Sequence, residues 1–226
     1  MVIPAKKRIL LIEGPECAGK STLFRWLRRG VRGKNVDFIP ELATHVGKYF
    51  PLGTGGGFET ELAFVSLNGV LMDRLERSLS LGRRVIADRG WTSQVIYARV
   101  RRRTIREYDF DPQVFARQET VLQKLYPRVV ASSVIIFVDI PPEESLRRSR
   151  ERRSSQRAGH KPDEVWVQAA HEEYRRYIDE IETCGEPAVR RIDGIGSMAL
   201  VRRRFVAVCR ELGFSVGRTI RQPQDE

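Results

Sequence analysis

Residues 12–22 read IEGPECAGKST, a stretch that combines a tight glycine turn with a lysine and two hydroxyl side chains. Residues 14–21 match the pattern G-x-x-x-x-G-K-[ST], in which backbone N–H groups of a loop and of the following helix converge on phosphate oxygens. In this pattern Lys20 reaches the outer phosphates and Ser21 ligates magnesium. The motif follows an apolar run and opens an amphipathic segment, as the pattern requires. We therefore predict a phosphate-binding loop formed by Gly14, Pro15, Glu16, Cys17, Ala18, Gly19, Lys20, Ser21 and Thr22.

Five short apolar, β-branched runs are continuous rather than alternating, as buried parallel strands tend to be. They cover residues 8–13, 36–39, 84–88, 134–140 and 188–193. Helical patterns lie at residues 21–29, 58–79, 92–99, 112–125, 142–153, 162–181 and 198–212. Because strands and helices alternate along the chain, the sequence predicts the α/β class, with a five-stranded parallel sheet and helices on both faces.

The composition is typical of a soluble globular protein. Of the 226 residues, 41% are hydrophobic and 31% are charged, and no run approaches the roughly 18 apolar residues that a membrane helix needs. The opening residues, MVIPAKKRILLIEGPE, superficially resemble a signal peptide, but Glu13 soon interrupts the apolar run and we expect a core strand there. We expect one domain over residues 1–212, a tail over residues 213–226 and no membrane association.

The cysteines indicate a reduced environment. The three of them, Cys17, Cys184 and Cys209, are widely spaced and form no CxxC pair. This spacing favours a cytoplasmic protein with neither a disulfide framework nor a zinc site. The histidines form no ligand cluster and are assigned no chemistry.

The formal net charge is +11, and arginine far outnumbers lysine. Two interpretations stay open: an anionic partner such as a nucleotide, a nucleic acid or a membrane surface, or a compositional habit of the chain. The densest run, RVRRRTIRE at residues 99–107, would suit a phosphate-bearing acceptor or a DNA backbone.

The end of the third strand separates the classes of proteins that carry such a loop. A GTPase would show an N-K-x-D element, which the sequence lacks, and motor-type ATPases usually end this strand in paired acids. Here residues 85–90 read VIADRG, with Asp88 followed at once by Arg89. Together with ADRGWTSQVIYA at residues 87–98 and IIFVDIPPEESLRRSRERR at residues 135–153, the loop resembles the thymidylate kinase and deoxynucleoside kinase family of P-loop kinases. The resemblance covers most of residues 8–212.

This resemblance implies a three-layer P-loop kinase fold, ATP as phosphoryl donor, Mg²⁺ as cofactor and a homodimer, which many members form. The family motif reads D-R-[YFH] in thymidylate kinases and E-R-S in deoxynucleoside kinases, so Asp88 and Arg89 match its acid and its arginine. Arg89 would hold the travelling phosphoryl group, and Asp88 would orient magnesium or the acceptor. The third position departs from both patterns because it is Gly90.

The resemblance also implies an Arg-rich lid over about residues 147–160, whose side chains close over ATP and exclude water. Four arginines recur near the helical period and could share a face: Arg147, Arg150, Arg153 and Arg157. We assign Arg147 to ATP binding and Arg150 and Arg153 to catalysis, with Arg148 as a further candidate. The alternative is a solvated basic helix whose partners are Glu143, Glu144 and Glu151.

Glu41 follows the second strand and is the candidate general base. Ligands of open α/β folds bind at the carboxyl edge of the sheet, where this residue is expected. Deoxynucleoside kinases carry E-P-x-x-x-W there and thymidylate kinases carry T-R-E-P-G, and the sequence matches neither in full. A hydroxyl acceptor loses a proton to a nearby carboxylate, whereas a phosphate acceptor needs arginines instead. Glu41 therefore favours a hydroxyl acceptor.

Three functions follow from these motifs. The first is a kinase that moves the γ-phosphate of ATP to a nucleoside or a nucleoside monophosphate. The second is a P-loop kinase that phosphorylates a hydroxymethylated base in DNA, for which the positive charge would provide docking. The third is a nucleotide-binding regulator that hydrolyses ATP slowly or not at all. Dependence of turnover on an acceptor separates the kinases from the regulator.

Overall fold

A computed structural model describes residues 7–30, 35–49, 58–106, 108, 110–153 and 164–214. Five strands form one sheet: β1 (Ile9–Glu13), β2 (Val36–Ile39), β3 (Arg84–Asp88), β4 (Ser133–Asp139) and β5 (Ala188–Asp193). Their spatial order is β2-β3-β1-β4-β5 and every neighbouring pair is parallel. The predicted five-stranded parallel sheet with helices on both faces is therefore confirmed.

Nine helices lie in the described residues. They are α1 (Lys20–Gly30), α2 (Ala43–Val46), α3 (Phe58–Ser80), α4 (Thr92–Thr104), α5 (Gln113–Leu125), α6 (Pro127–Ser132), α7 (Pro142–Arg153), α8 (Glu164–Cys184) and α9 (Met198–Glu211). The sequence analysis missed the short helices α2 and α6 and ended α4 too early, at residue 99. The predicted helix at residues 162–181 corresponds to α8, and its predicted first residue lies outside the described residues.

Side chains of each strand alternate between two apolar cores, since successive residues of a strand point to opposite faces. In β1, Leu10 and Ile12 pack in the core that contains residues of α1 and α9. Ile9 and Leu11 pack in the other core, which contains residues of α3, α4, α5 and α8. Because β1 is covered on both faces, it reads as a continuous apolar run.

This topology sets the position of the site. The order of the strands reverses at β1, which lies between β3 and β4. Because β1 and β3 are parallel, the loops that follow them lie at the same edge of the sheet. In the register, Ile12 is paired with Asp88, which brings the phosphate-loop motif beside the DRG motif. Ligands of open α/β folds bind at such a point.

The described fold continues past the predicted domain end at residue 212. Phe214 is buried, its backbone N–H donates to Cys209, and the guanidinium of Arg84 lies 5.2 Å from its ring centroid. The predicted tail beyond it and the second half of the predicted lid, from residue 154 onward, lie outside the described residues. Within the part of the chain that the structure describes, no helix combines the length and the apolar character needed to cross a bilayer.

Candidate active site at the carboxyl edge of the sheet

The loop between β1 and α1 has the backbone that its glycines predict. Gly14 and Gly19 have φ values of 146° and 95°, in the region that favours glycine. A Cβ on Gly14 would lie 2.6 Å from the carbonyl oxygen of Val138, so no larger residue fits there without displacing β4. Cys17 also has a positive φ, of 58°. The loop leads into the N-terminus of α1, where helix amides and the helix dipole favour an anion.

Lys20 is buried in this loop. Its Nζ donates a 2.6 Å hydrogen bond to the carbonyl oxygen of Pro15. Burial lowers the pKa of Lys20 to about 7, and the neighbouring positive charge of Arg89 acts in the same direction. An arriving phosphate would restore the full charge of this lysine, because an anion at hydrogen-bond distance favours the protonated amine.

Asp88 and Ser21 form a pair that suits a magnesium ion. Asp88 ends β3, is buried, and accepts a hydrogen bond from Ser21. Its Oδ1 has no hydrogen-bond partner among the described residues, and burial, followed by the charge of Glu41, raises its pKa. In the described chain, no group of three or more His, Cys, Asp or Glu residues could hold a metal. One carboxylate and one hydroxyl nevertheless fit Mg²⁺, which is usually held by one or two carboxylates together with substrate phosphates.

Arg89 lies between the phosphate loop and Glu41, which follows β2. Its backbone φ of 73° is unusual for a side-chain-bearing residue and turns the chain sharply after β3. The guanidinium forms an ion pair with Glu41, and its Nη1 lies 3.4 Å from the carbonyl oxygen of Gly14. The side chain is nevertheless only 10% exposed. The structure thus brings together the predicted base, the predicted phosphoryl-holding arginine and the phosphate loop.

Aromatic hydroxyls hold the rest of this guanidinium. Tyr97 accepts a 3.0 Å hydrogen bond from Nη2 of Arg89, and its ring centroid lies 5.0 Å from the Arg89 guanidinium carbon. Tyr174 accepts from Nη1. Tyr97 also stacks on Trp166, with the ring planes 19° apart. Burial raises the pKa of Tyr174, so its hydroxyl stays protonated and can donate onward.

Glu13 is a buried carboxylate that the sequence analysis did not single out, because it appeared as the end of a core strand. Its Oε1 accepts from the backbone N–H of Gly90 at 2.7 Å and from the hydroxyl of Thr92 at 3.0 Å. Its Oε2 accepts from Ser93 at 2.7 Å and from Tyr174 at 3.3 Å. Glu13 therefore joins β1, the β3–α4 turn and α8.

Gly90, which departs from the family motif, has a packing reason. A Cβ on this residue would lie 2.9 Å from Cδ1 of Leu11 on the adjacent strand. The turn thus sits directly on β1, and its amide reaches Glu13. No side chain extends toward an acceptor from this position.

Helix α8 contributes side chains that no sequence motif indicated. The indole N–H of Trp166 donates to Glu16 in the phosphate loop at 3.3 Å. Tyr174 contacts Arg89 and Glu13, as described above. His171 is buried, and burial together with Arg175 and Lys20 lowers its pKa to about 4, which keeps the ring neutral near pH 7. These residues follow the motif by some 150 positions, so only the fold reveals their proximity.

The arginines of α7 differ in what they contact. Arg147, assigned to ATP binding from the sequence, is exposed and pairs with Glu144 and Glu151 on its own helix, as in the alternative of a solvated basic helix. Arg150 is exposed, the side chain of Arg153 is not described, and residue 157 lies outside the described residues.

Arg148 instead reaches the backbone of the phosphate loop and of the segment after β5. Its guanidinium donates to the carbonyl oxygen of Cys17 at 3.4 Å and to that of Gly194 at 2.8 Å. Ser145, one turn earlier, donates to the backbone oxygen of Glu16. Helix α7 is thereby fixed against the phosphate loop, and Arg148 is its arginine at that junction.

The arginine run at residues 99–107 is not the open basic surface that its composition suggested. Arg101 is buried against Glu61, and Arg102 donates to the carbonyl oxygen of Tyr108. Arg99 pairs with Glu180, and Arg103 pairs with Glu172 and Glu173. Four of its arginines are therefore engaged by the protein itself, which removes the main argument for DNA docking at this place.

Comparisons with known proteins give relatives by sequence and by fold. No protein-family model matches the chain. It is 28% identical to a thymidine kinase of Ictalurid herpesvirus 1 (strain Auburn), over 89% of this chain and 86% of that one.

Solved structures show the same fold. A deoxyadenosine kinase from M. mycoides with bound dATP has a TM-score of 0.65 at 12% identity, over 89% of this chain and 99% of that one. A thymidylate kinase from Candida albicans has a TM-score of 0.64 at 18% identity, over 92% and 93%. The predicted resemblance of the chain to the thymidylate kinase and deoxynucleoside kinase family of P-loop kinases is thereby confirmed.

Proposed function

We propose that this protein is a Mg²⁺-dependent kinase that moves the γ-phosphoryl group of ATP to a nucleoside or a nucleoside monophosphate. The named relatives indicate nucleoside or nucleotide kinase activity in general. The observation that carries the proposal further is the convergence on Arg89 of Glu41, the phosphate loop and the end of β3. This constellation is suited to a phosphoryl group in transit between two sites.

The donor side is formed by the phosphate loop. Loop amides and the N-terminus of α1 would bind the phosphates, and Lys20 would neutralise the outer ones. Bound Mg²⁺ would be held by Ser21 and Asp88 and would supply positive charge to the phosphate oxygens. Arg148 would close the nucleotide side, a role that its contacts with Cys17 and Gly194 support better than the exposed position of Arg147.

The transfer itself depends on positioning and charge rather than on covalent chemistry by the protein. Arg89 would stabilise the negative charge on the transferred group, because it is held in place before the reaction by Tyr97 and Tyr174. Such an arginine requires no reorganisation at the moment of transfer. Arg150 and Arg153, the catalytic candidates of α7, would act only from a closed lid.

We favour a nucleoside hydroxyl as the acceptor. The carboxylate of Glu41 is partly exposed and lies beside Arg89, so it can accept a hydroxyl proton next to the phosphoryl group. A monophosphate acceptor would need cations in the same place, and several arginines of the 99–107 run are engaged elsewhere. Neither DNA as acceptor nor a homodimer finds support in the comparisons.

The test is ADP formation from Mg·ATP with a panel of deoxynucleosides, ribonucleosides and their monophosphates. The proposal expects turnover with a subset of them and almost none without an acceptor. Equal ATP hydrolysis in every assay would instead favour the slowly hydrolysing regulator. Hydroxymethylated duplex DNA belongs in the panel as the competing acceptor.

A further inference from the structure

We infer that Glu13 is a positioning residue for catalysis, which holds Arg89 at the phosphate site through Ser93 and Tyr174. This inference rests on the proposed function, since it concerns how Arg89 is fixed for phosphoryl transfer. It assigns a task to a carboxylate that none of the sequence motifs required.

The charge of Glu13 lies in a place that is costly for a carboxylate. Glu13 is 1% exposed and lies immediately before Gly14 of the phosphate loop. A buried carboxylate is costly, and beside a triphosphate it would also repel the substrate. Such a group is compatible with the site only if donors neutralise it. Four donors from three other segments do so, namely Gly90, Thr92, Ser93 and Tyr174.

Two hydroxyl groups connect Glu13 to Arg89. Nη1 of Arg89 donates to the hydroxyls of Ser93, at 3.4 Å, and of Tyr174. Both hydroxyls in turn donate to Oε2 of Glu13. The same carboxylate oxygen lies 4.0 Å from Nη1 directly. A negative charge at Glu13 therefore orients both hydroxyls so that their lone pairs face the guanidinium.

The turn that carries Arg89 has a strained backbone. Arg89 has a φ of 73°, a conformation that side-chain-bearing residues rarely adopt, so other contacts must hold it there. The amide of Gly90 donates to Glu13, while the amide of Arg89 donates to the carbonyl oxygen of Ile12 at 3.1 Å. Glu13 thus fixes both the backbone and the side-chain end of Arg89.

The experiment is a double-mutant cycle on kcat. Glu13→Gln keeps the shape but removes the charge and turns an acceptor into a donor. We expect kcat to fall roughly tenfold to a hundredfold, as for a displaced catalytic group, with the KM for ATP little changed. In an Arg89→Ala background the same substitution should cost less than about twofold, because both changes remove one interaction.

Glu61→Gln is the matched control. Glu61 is equally buried and also pairs with an arginine and a tyrosine, Arg101 and Tyr108, but in the helical layer. Any effect of this substitution on kcat should be the same with and without Arg89. If Glu13→Gln behaves in that additive way, or leaves kcat unchanged, Glu13 is only structural and the inference is overturned.

Two further measurements apply if Glu13→Gln does not fold or if the protein shows no turnover. Should Glu13→Gln not fold, Ser93→Ala removes one bridging hydroxyl, and its effect on kcat should also vanish in the Arg89→Ala background. Hydrogen exchange of the amides of residues 89–93 should accelerate in Glu13→Gln and not in Glu61→Gln. This second measurement needs no turnover. An enzyme without acceptor-dependent activity would therefore defeat the proposed function alone, whereas unchanged exchange would defeat the role of Glu13.

Discussion

Glu13 with Arg89 and Glu61 with Arg101 are two carboxylate–arginine pairs that are similar in burial and differ in surroundings. Both carboxylates are almost inaccessible, and each accepts a hydrogen bond from a tyrosine. Arg101 lies within α4 and faces Glu61 on α3, so this pair joins two packed helices. Arg89 lies on a strained turn at the sheet edge and contacts the phosphate loop.

The difference between the pairs indicates what each charge contributes. Replacing a buried ion pair by apolar residues is often neutral or stabilising, so burial of charge is weak evidence for a stabilising role. The Arg101 pair joins α3 and α4 within the helical layer, and its effect should be confined to folding. In the Arg89 pair, four hydroxyl and amide donors neutralise Glu13, and Arg89 contacts the phosphate loop, so the effect of this pair should appear in catalysis.

The largest expected effect is that of Arg89→Ala on turnover. Removing one preorganised donor of transition-state charge should lower kcat on the order of 10²–10³-fold. ATP binding should stay nearly intact, because Lys20 and the loop amides remain. Steady-state kinetics with calorimetric measurement of ATP affinity provides the check. If turnover stays close to that of the unaltered protein, the Glu13–Arg89 pair does not serve catalysis.

Arg101→Met should act on stability. It leaves the carboxylate of Glu61, whose pKa burial already raises, without its arginine. We expect the free energy of unfolding to fall by about 3 kcal/mol, the lower range for a broken buried pair. Urea denaturation measures this loss, and kcat per folded molecule should hardly change. A large fall in kcat with unchanged stability would place Arg101 in the active site.

Glu41→Gln tests the choice of acceptor. With a nucleoside, loss of the general base should reduce kcat by about a hundredfold. With a monophosphate, which is already an anion, the same change should have little effect. Equal losses with both acceptors would mean that Glu41 acts mainly by holding Arg89. The unaltered protein, assayed with each acceptor, provides the reference.

The smallest predicted effect concerns the protonation of Lys20. Its pKa of about 7 lies below the ordinary lysine pKa of about 10.5, so the folded protein binds fewer protons than the unfolded chain between these pH values. Lys20 therefore contributes stability that increases as the pH rises from about 7 to 10.5, with ATP absent. Binding of ATP should recharge the lysine and take up about half a proton at pH 7.

Calorimetry of ATP binding in two buffers of different ionisation enthalpy measures this uptake. Lys20→Met should abolish it. Identical binding enthalpies in both buffers would contradict the low pKa of Lys20 and leave the loop as a conventional charged site.

Local sequence accounts for much of the fold and the donor side. Short apolar runs predicted all five strands. The runs are nearly continuous in β1, β3 and β4 because both faces of these strands are covered, whereas β5 has two exposed arginines. The phosphate loop could be predicted because its motif contains Gly14 and Gly19, two positions where the loop backbone adopts a positive φ. Helices α2 and α6 were missed because they are a few residues long and have no room for a periodic pattern.

The acceptor side depends on long-range packing that no local pattern records. Tyr174 and Trp166 belong to α8, which packs against α4 and brings them to Arg89 and Glu16. Glu13 resembled the polar end of a strand, and its four donors lie more than 70 residues away. The arginines of residues 99–107 suggested an open basic surface because their carboxylate partners belong to other helices.

The most direct measurement is transfer of label from γ-labelled ATP to a nucleoside acceptor in a single turnover, with Mg²⁺ and excess enzyme. The account predicts a labelled monophosphate that forms with ADP in equal amount, and loss of this product in both Lys20→Ala and Arg89→Ala. Label released only as inorganic phosphate, or a labelled product that forms equally well in both variants, would contradict it.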